Sequence, residues 1–295
     1  MGILHRRQTT LAGINVAELS NDELRELVLE ILEGRIHGIS FSPYVEHQGP
    51  GTQVSEDQIR DRLAYVEPYA NWVRTFACSE GHEAIPPIAK RSGLRTMVGV
   101  WLDDNREQNE LELENAIQIA KRGQADLLGV GNEVLLRGDL SAEELLEYIE
   151  RVKRSVSGVP VGYVDAYFKF NDYPEIADAC DVILANCYPF WEGCPAEHAI
   201  LYMKEMYRRA QQAARGKRVI ISETGWPNTG TPERGAVPSF ENAIKYFIDT
   251  YRWAAEDSIE IFWFSAFDET WKVDSEGDVG AFWGLWDKDG QPKYL

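Results

Sequence analysis

The 295-residue chain has little of what metal, cofactor or nucleic-acid sites are built from. It has four cysteines, Cys78, Cys180, Cys187 and Cys194, and no Cys-x-x-Cys. Its five histidines, His5, His37, His47, His82 and His198, are scattered, with no His-x-His pair. Neither set has the spacing of a zinc site, so no metal is expected. No glycine-rich phosphate loop follows the first strand, which reads Ser42-Pro43-Tyr44 at its end, and no serine nucleophile elbow occurs. No cofactor is expected, and an esterase is not indicated. Basic residues are few: 30 Lys and Arg against 48 Asp and Glu, a formal charge of −18. That balance excludes nucleic acid and anionic membrane surfaces as partners and disfavours polyanionic substrates, while a neutral polymer is tolerated.

Long apolar runs are also missing. No segment approaches a membrane span, and Met1–Gln8 lacks the apolar stretch of a signal peptide. The expectation is a cytoplasmic protein, or an exported or periplasmic domain whose leader has been removed. Buried free thiols are the default for the cysteines, with a Cys187–Cys194 bridge open to an exported protein. No Ser/Gly-rich or Pro-rich linker divides the chain. Residues 1–19 read as an N-terminal tail and 20–295 as one domain, with a monomer as the default state.

What the chain does have is alternation. Residues 20–33 carry an apolar stripe, Leu24, Leu27, Val28, Ile31 and Leu32, capped by Ser20 or Asn21 and ended by Gly34. Eight short apolar segments follow, near 36–41, 72–76, 95–101, 126–130, 159–164, 182–186, 218–222 and 259–265. Helical patterns separate them, the clearest being 141–155, where Ser141 and Glu144 form a capping box. Strands this apolar, joined by helical crossovers, pair in parallel. Eight such units in under 300 residues imply an α/β fold: a single (β/α)8 TIM barrel with an N-terminal helix and an aromatic-rich C-terminal loop region from Phe267 on.

In a barrel, chemistry gathers where strands end at their C-terminal side. Two glutamates stand there. Val219-Ile220-Ile221 runs into Ser222-Glu223-Thr224-Gly225-Trp226-Pro227, and Leu127-Leu128-Gly129-Val130-Gly131 runs into Asn132-Glu133. Two rim carboxylates on diagonal strands are what a retaining glycosidase needs: Glu223 as nucleophile and Glu133 as acid and later base. Asn132 is placed to bond a sugar 2-hydroxyl, and Tyr188, ending strand six, to point its hydroxyl at Glu223. Tyr44, Arg74, Trp101, Asp165 and Glu269 also fall at strand ends. Aromatic residues make up 11% of the chain, with nine Trp. An indole stacks well on a pyranose, yet the core is the ordinary place for any single Trp, so Trp226, Trp271, Trp283 and Trp286 carry both readings. Phe190, Trp191 and the 227–238 loop are candidates for the subsites beyond the cleaved bond.

The runs Gly129-Val130-Gly131-Asn132-Glu133, Ile221 to Pro227 and Ala266-Phe267-Asp268-Glu269-Thr270-Trp271-Lys272 resemble glycoside hydrolase family 17. So do Ile39 to Tyr44 and Val73-Arg74-Thr75-Phe76, so the likeness covers essentially the whole chain and leans to the bacterial and fungal branches. The resemblance implies β-1,3-glucanase, lichenase or β-1,3-glucanosyltransferase activity on a β-glucan oligo- or polysaccharide. It implies the same roles for Glu133 and Glu223, and puts Glu269 and Lys272 in the cleft near the glycone subsite. Thr270 departs from the pattern, which often has proline there. Three functions follow as expectations: a hydrolase of β-1,3-glucan, a transferase using the same residues, and a glucan-binding barrel without catalysis.

Overall fold

The computed structural model describes residues 16–295; the first fifteen residues, with most of the N-terminal tail and His5, lie outside the described residues. A 3-10 turn, Val16–Glu18, leads into α1 (Asn21–Glu33), where Ser20 and Glu23 form a capping box. Then come β1 (Ile36–Ser40), α2 (Glu56–Val66), β2 (Ala70–Arg74), α3 (Ile85–Arg91), β3 (Arg95–Val100), α4 (Arg106–Lys121) and β4 (Leu127–Asn132). A one-turn α5 (Val134–Arg137) precedes α6 (Ala142–Ser155) and β5 (Val161–Ala166). The chain continues through α7 (Lys169–Asp172), α8 (Pro174–Ala179), β6 (Val182–Asn186), α9 (Ala199–Ala214), β7 (Arg218–Thr224), α10 (Phe240–Asp257) and β8 (Ile261–Trp263). A last single turn, α11 (Val273–Glu276), sits in the C-terminal loops.

The eight strands close into a barrel in sequence order, with every neighbouring pair parallel. This is the (β/α)8 TIM barrel expected from the alternation. The helix starts follow local chemistry. Ser141 and Glu144 make the second capping box, Ser55, Asn105 and Ser239 each accept a backbone N–H, and Pro86-Pro87 opens α3 where no N–H is needed.

The barrel interior is apolar at its floor, where Trp72, Met97, Leu127, Val164, Val182, Leu184, Ile220 and Phe262 pack together. Two residues further along the same strands the inward positions turn polar: Arg74 after Trp72, Asn186 after Leu184, Ser222 after Ile220. The polar layer is the floor of the site. Both glutamate-bearing strands are irregular at this level. Between β4 and β5 the register passes from Gly129↔Gly162 to Asn132↔Val164, one extra residue on β4. Between β6 and β7 it passes from Ala185↔Ile221 to Asn186↔Glu223, one extra residue on β7. Bulges of this kind re-aim the side chains that follow them. Gly131, at φ 82°, and Glu133, at φ 53°, absorb the turn at the end of β4.

All four thiols are free. Cys187 and Cys194 are not bridged: Cys187 is buried under the β6 end, and the Cys194 sulfur lies against the Pro195 carbonyl at 3.5 Å. Among the described residues no helix is long and apolar enough to cross a membrane, and no group of three or more His, Cys, Asp or Glu is arranged to hold a metal ion.

Candidate active site

At the C-terminal end of the barrel lies a cleft of about 860 Å³. Glu133 and Glu223 both line it. Glu223, at the end of β7, is 6% exposed. Arg74 Nη1 stands 2.7 Å from its Oε1, at an angle that makes the contact an ion pair rather than a linear hydrogen bond. Tyr188 Oη donates to its Oε2 at 2.7 Å. Burial and the negative charge of Glu223 push the Tyr188 phenol well above its ordinary range, so it remains a donor.

Glu133 is in a different setting. Burial, then the charge of Glu223, raise its carboxyl to about 7, against the opposing bond from Asn186. Asn186 Nδ2 donates to Glu133 Oε1 at 2.8 Å. The two carboxyls are therefore held apart in character. One has an arginine and a phenol on it; the other is desolvated, its carboxyl raised to about 7. Asn132, next to Glu133, accepts from Arg74 Nη2 at 2.7 Å, so a single guanidinium spans the ends of β4 and β7.

Of the other residues singled out in the sequence, Asn132, Tyr44, Trp101, Tyr188, Trp191, Trp271 and Lys272 line the cleft, and Tyr167 and Phe168, from the end of β5, line it with them. Tyr44 packs edge-on to His82 and Trp271. Lys272 Nζ is 3.2 Å from Glu269 and 3.9 Å from Glu276, and 4.1 Å above the Phe264 ring. Burial disfavours its charge, but the carboxylates of Glu269, Glu276 and Glu223 outweigh it and hold the ammonium above its usual range.

Several placements differ from the sequence expectation. Arg74 is 1% exposed and sits beneath the cleft; it reaches the site through Glu223 and Asn132 rather than as a wall. Glu269 also lies behind the wall, where it receives Lys272 and the Trp271 indole N–H at 3.3 Å. Trp226 is 1% exposed and is a core residue: Gly225 and Pro227 turn the chain so that the indole drops under Phe190 and beside Tyr246, its N–H bonded to the Val237 carbonyl. Phe190, Trp283 and Trp286 are buried as well, and Asp165 is turned into a bond with the Tyr163 hydroxyl. The 227–238 loop contributes nothing to the cleft wall.

The sequence left Asn186, Glu276 and Phe264 without a role. Asn186 had a usable signal, a polar residue ending an apolar strand. Glu276 had none, because only the final loop brings it beside Lys272. Phe264 reads as part of a buried strand and emerges only because β8 ends at Trp263.

The BtgE/BtgC glycoside hydrolase domain model matches residues 38–284. A glucan 1,3-beta-glucosidase of Arthroderma benhamiae is 30% identical over 271 residues, 83% of this chain and 87% of that protein. The structure of an active-site mutant of Rhizomucor miehei beta-1,3-glucanosyltransferase in complex with laminaritriose is 31% identical, with a TM-score of 0.79 over 88% of this chain and 96% of that one. An endo-laminarinase from Formosa shares the fold at 17% identity, with a TM-score of 0.74 over 89% of this chain and 86% of the other. With its motifs, its closed barrel and these relatives together, the chain belongs to glycoside hydrolase family 17 and is an enzyme of the β-1,3-glucanase kind.

Proposed function

We propose that this enzyme cleaves β-1,3-glucan with retention of configuration, Glu223 attacking the anomeric carbon while Glu133 protonates the departing sugar. The observation that carries the reading is the division of labour between the carboxyls: Glu223 held by Arg74 and Tyr188, Glu133 desolvated and raised to about 7. Glu133 then serves as base toward the acceptor that releases the covalent intermediate. Asn132 lies beside the acid, where a bond to the 2-hydroxyl strengthens as the sugar gains positive charge.

The line from β4 to β7 divides the rim. Tyr167, Phe168 and Trp191 line the β5–β6 side, and Tyr44, Phe76, Trp101 and Trp271 the other. Rings on both sides suit a neutral chain running across the site, which favours an internally cleaving hydrolase, while the presence of both carboxyls in the cleft disfavours a binding barrel without catalysis. A second reading, transfer to another glucan, is favoured by the similarity to the Rhizomucor miehei glucanosyltransferase. Ordered acceptor placement supplies the large effective molarity needed to outcompete water.

A time course on laminarihexaose, with products separated by size and the first-formed anomer read by NMR, tests both. Shorter β-anomeric products support the hydrolase. Products longer than the hexaose support the transferase, and first-formed α-anomers would overturn retention.

A further inference from the structure

Ser222 directly precedes Glu223, is fully buried and has no part in the chemistry above. Its Oγ donates to Asn186 Oδ1 at 2.8 Å, and Nδ2 of the same amide donates to Glu133 Oε1 at 2.8 Å. The two ends of an amide have nearly the same shape and opposite hydrogen-bonding character. Turned over, Asn186 would present its carbonyl to Glu133 and its N–H to the Ser222 oxygen, which can accept it, but the Ser222 proton would then lose the acceptor it has in this buried setting, which is costly. The serine therefore favours the orientation that puts the amide N–H on the acid. The bulge on β7 makes this possible, because one extra residue lets Ser222 face Asn186 while Glu223 still reaches the cleft.

We propose that Ser222 is a positioning residue for proton transfer: through Asn186 it keeps an N–H on one oxygen of Glu133, so that the transferable proton is carried by the other. The proposal rests on the reading of Glu133 as acid and base. In the step it serves, the proton leaves the second oxygen of Glu133 for the glycosidic oxygen. The bond between that oxygen and the anomeric carbon breaks, its electron pair staying on oxygen, as a Glu223 oxygen bonds to the carbon. Glu133 becomes a carboxylate, and the Asn186 N–H, already in place, stabilises it without reorganisation. The charged groups acting on Glu133 from neighbouring elements are Glu223 on β7 and Asp165 on β5, which raise its pKa, and Arg137 on α5, which lowers it. Asn186 on β6 adds the direct bond.

The test compares kcat/KM of Ser222→Ala on a laminari-oligosaccharide and on 2,4-dinitrophenyl β-laminaribioside, whose leaving group departs without protonation. The expected result is a loss of about tenfold or more on the oligosaccharide and less than about twofold on the aryl glycoside. The alkaline limb of the pH profile should move up, because ionised Glu133 loses a donor, and Ser222→Thr should restore both. Equal losses on the two substrates, or an unmoved limb, would make Ser222 a packing residue and sink the proposal. Asn186→Ala removes the N–H from the other side and should give the same separation, which keeps the test open if Ser222→Ala does not fold. Glu133→Gln should separate the substrates by about a hundredfold or more. If it does not, Glu133 is not the acid and the underlying reading falls; if it does while Ser222→Ala and Asn186→Ala do not, the relay alone is wrong.

Discussion

Arg74 and Glu223 form an ion pair at 2.7 Å in which both side chains are more than nine-tenths buried. The same guanidinium holds Asn132, so the nucleophile proposed on β7 and the residue beside the proposed acid on β4 share one support. Buried charges are kept only when paired, and removing one partner strands the other. Arg74→Ala should cost about 3–5 kcal/mol of stability and most of the activity. Arg74→Lys keeps the charge but not the fork, and should recover stability better than kcat. Denaturant unfolding and kinetics on laminarin check the pair; an Arg74→Ala protein with wild-type stability would contradict the buried pairing.

Glu133 makes activity and stability respond to pH in linked ways. Its carboxyl is raised to about 7 in the folded protein from 4.5. The acid form is lost as pH rises through about 7, so kcat/KM should fall on that limb. The folded state binds the proton more tightly than the unfolded one between these values, so the contribution of Glu133 to stability is complete below 4.5 and is lost as pH rises toward 7. The interval corresponds to roughly 3 kcal/mol. Glu133→Gln should therefore raise the unfolding midpoint at pH 8 and change it little at pH 4, while abolishing turnover of unactivated glucan. Calorimetry at the two pH values checks this.

His37 acts in the opposite direction at the start of β1. Burial lowers its pKa to about 4, against the attraction of Glu260, as it stacks on Trp72. The unfolded chain takes up that proton first, so the stabilising contribution is complete above 6.5 and is lost as pH falls through about 4. His37→Phe should flatten acid destabilisation by roughly 3 kcal/mol. Urea unfolding midpoints between pH 7 and pH 4 measure it; an unchanged slope would exclude His37 as the cause.

Trp226 and Trp271 look alike in the sequence and should behave differently. Trp226 is closed in beneath Phe190 and bonded to Val237, so Trp226→Ala should cost about 3–5 kcal/mol. Trp226→Phe, if folded, should leave KM near wild type. Trp271 lines the cleft, and Trp271→Ala should raise KM for laminari-oligosaccharides with little change in thermal midpoint. The reverse pattern would exchange their assignments.

The barrel was legible because each of its units carries its own signal. An apolar strand buried on both faces looks different from an amphipathic crossover, and Ser141-x-x-Glu144 or Pro86-Pro87 mark helix starts by chemistry that needs no tertiary partner. The rim glutamates were legible for a related reason, since a carboxylate closing an apolar strand has no local use. Burial of individual aromatics was not legible. Trp226, Trp271 and Trp283 sit in similar loop sequence, and the path of the C-terminal segment decides which indole is covered.

By itself, then, the sequence determined the number and order of the barrel units, the end of the barrel that carries chemistry and the two carboxylates there. These follow from periodicity and from strand termini, which are local. The tertiary structure decided how those carboxylates differ. Nothing in Asn132-Glu133 or Ser222-Glu223 announces an extra residue in β4 or β7 against its neighbours, because a bulge is a property of two paired strands. Arg74 lies 149 positions before Glu223, and Asn186 53 after Glu133. Closure of the barrel brings each to its carboxylate, and the pairing of one with an arginine and a phenol, and of the other with an amide in a dry pocket, separates nucleophile from acid in the proposed mechanism.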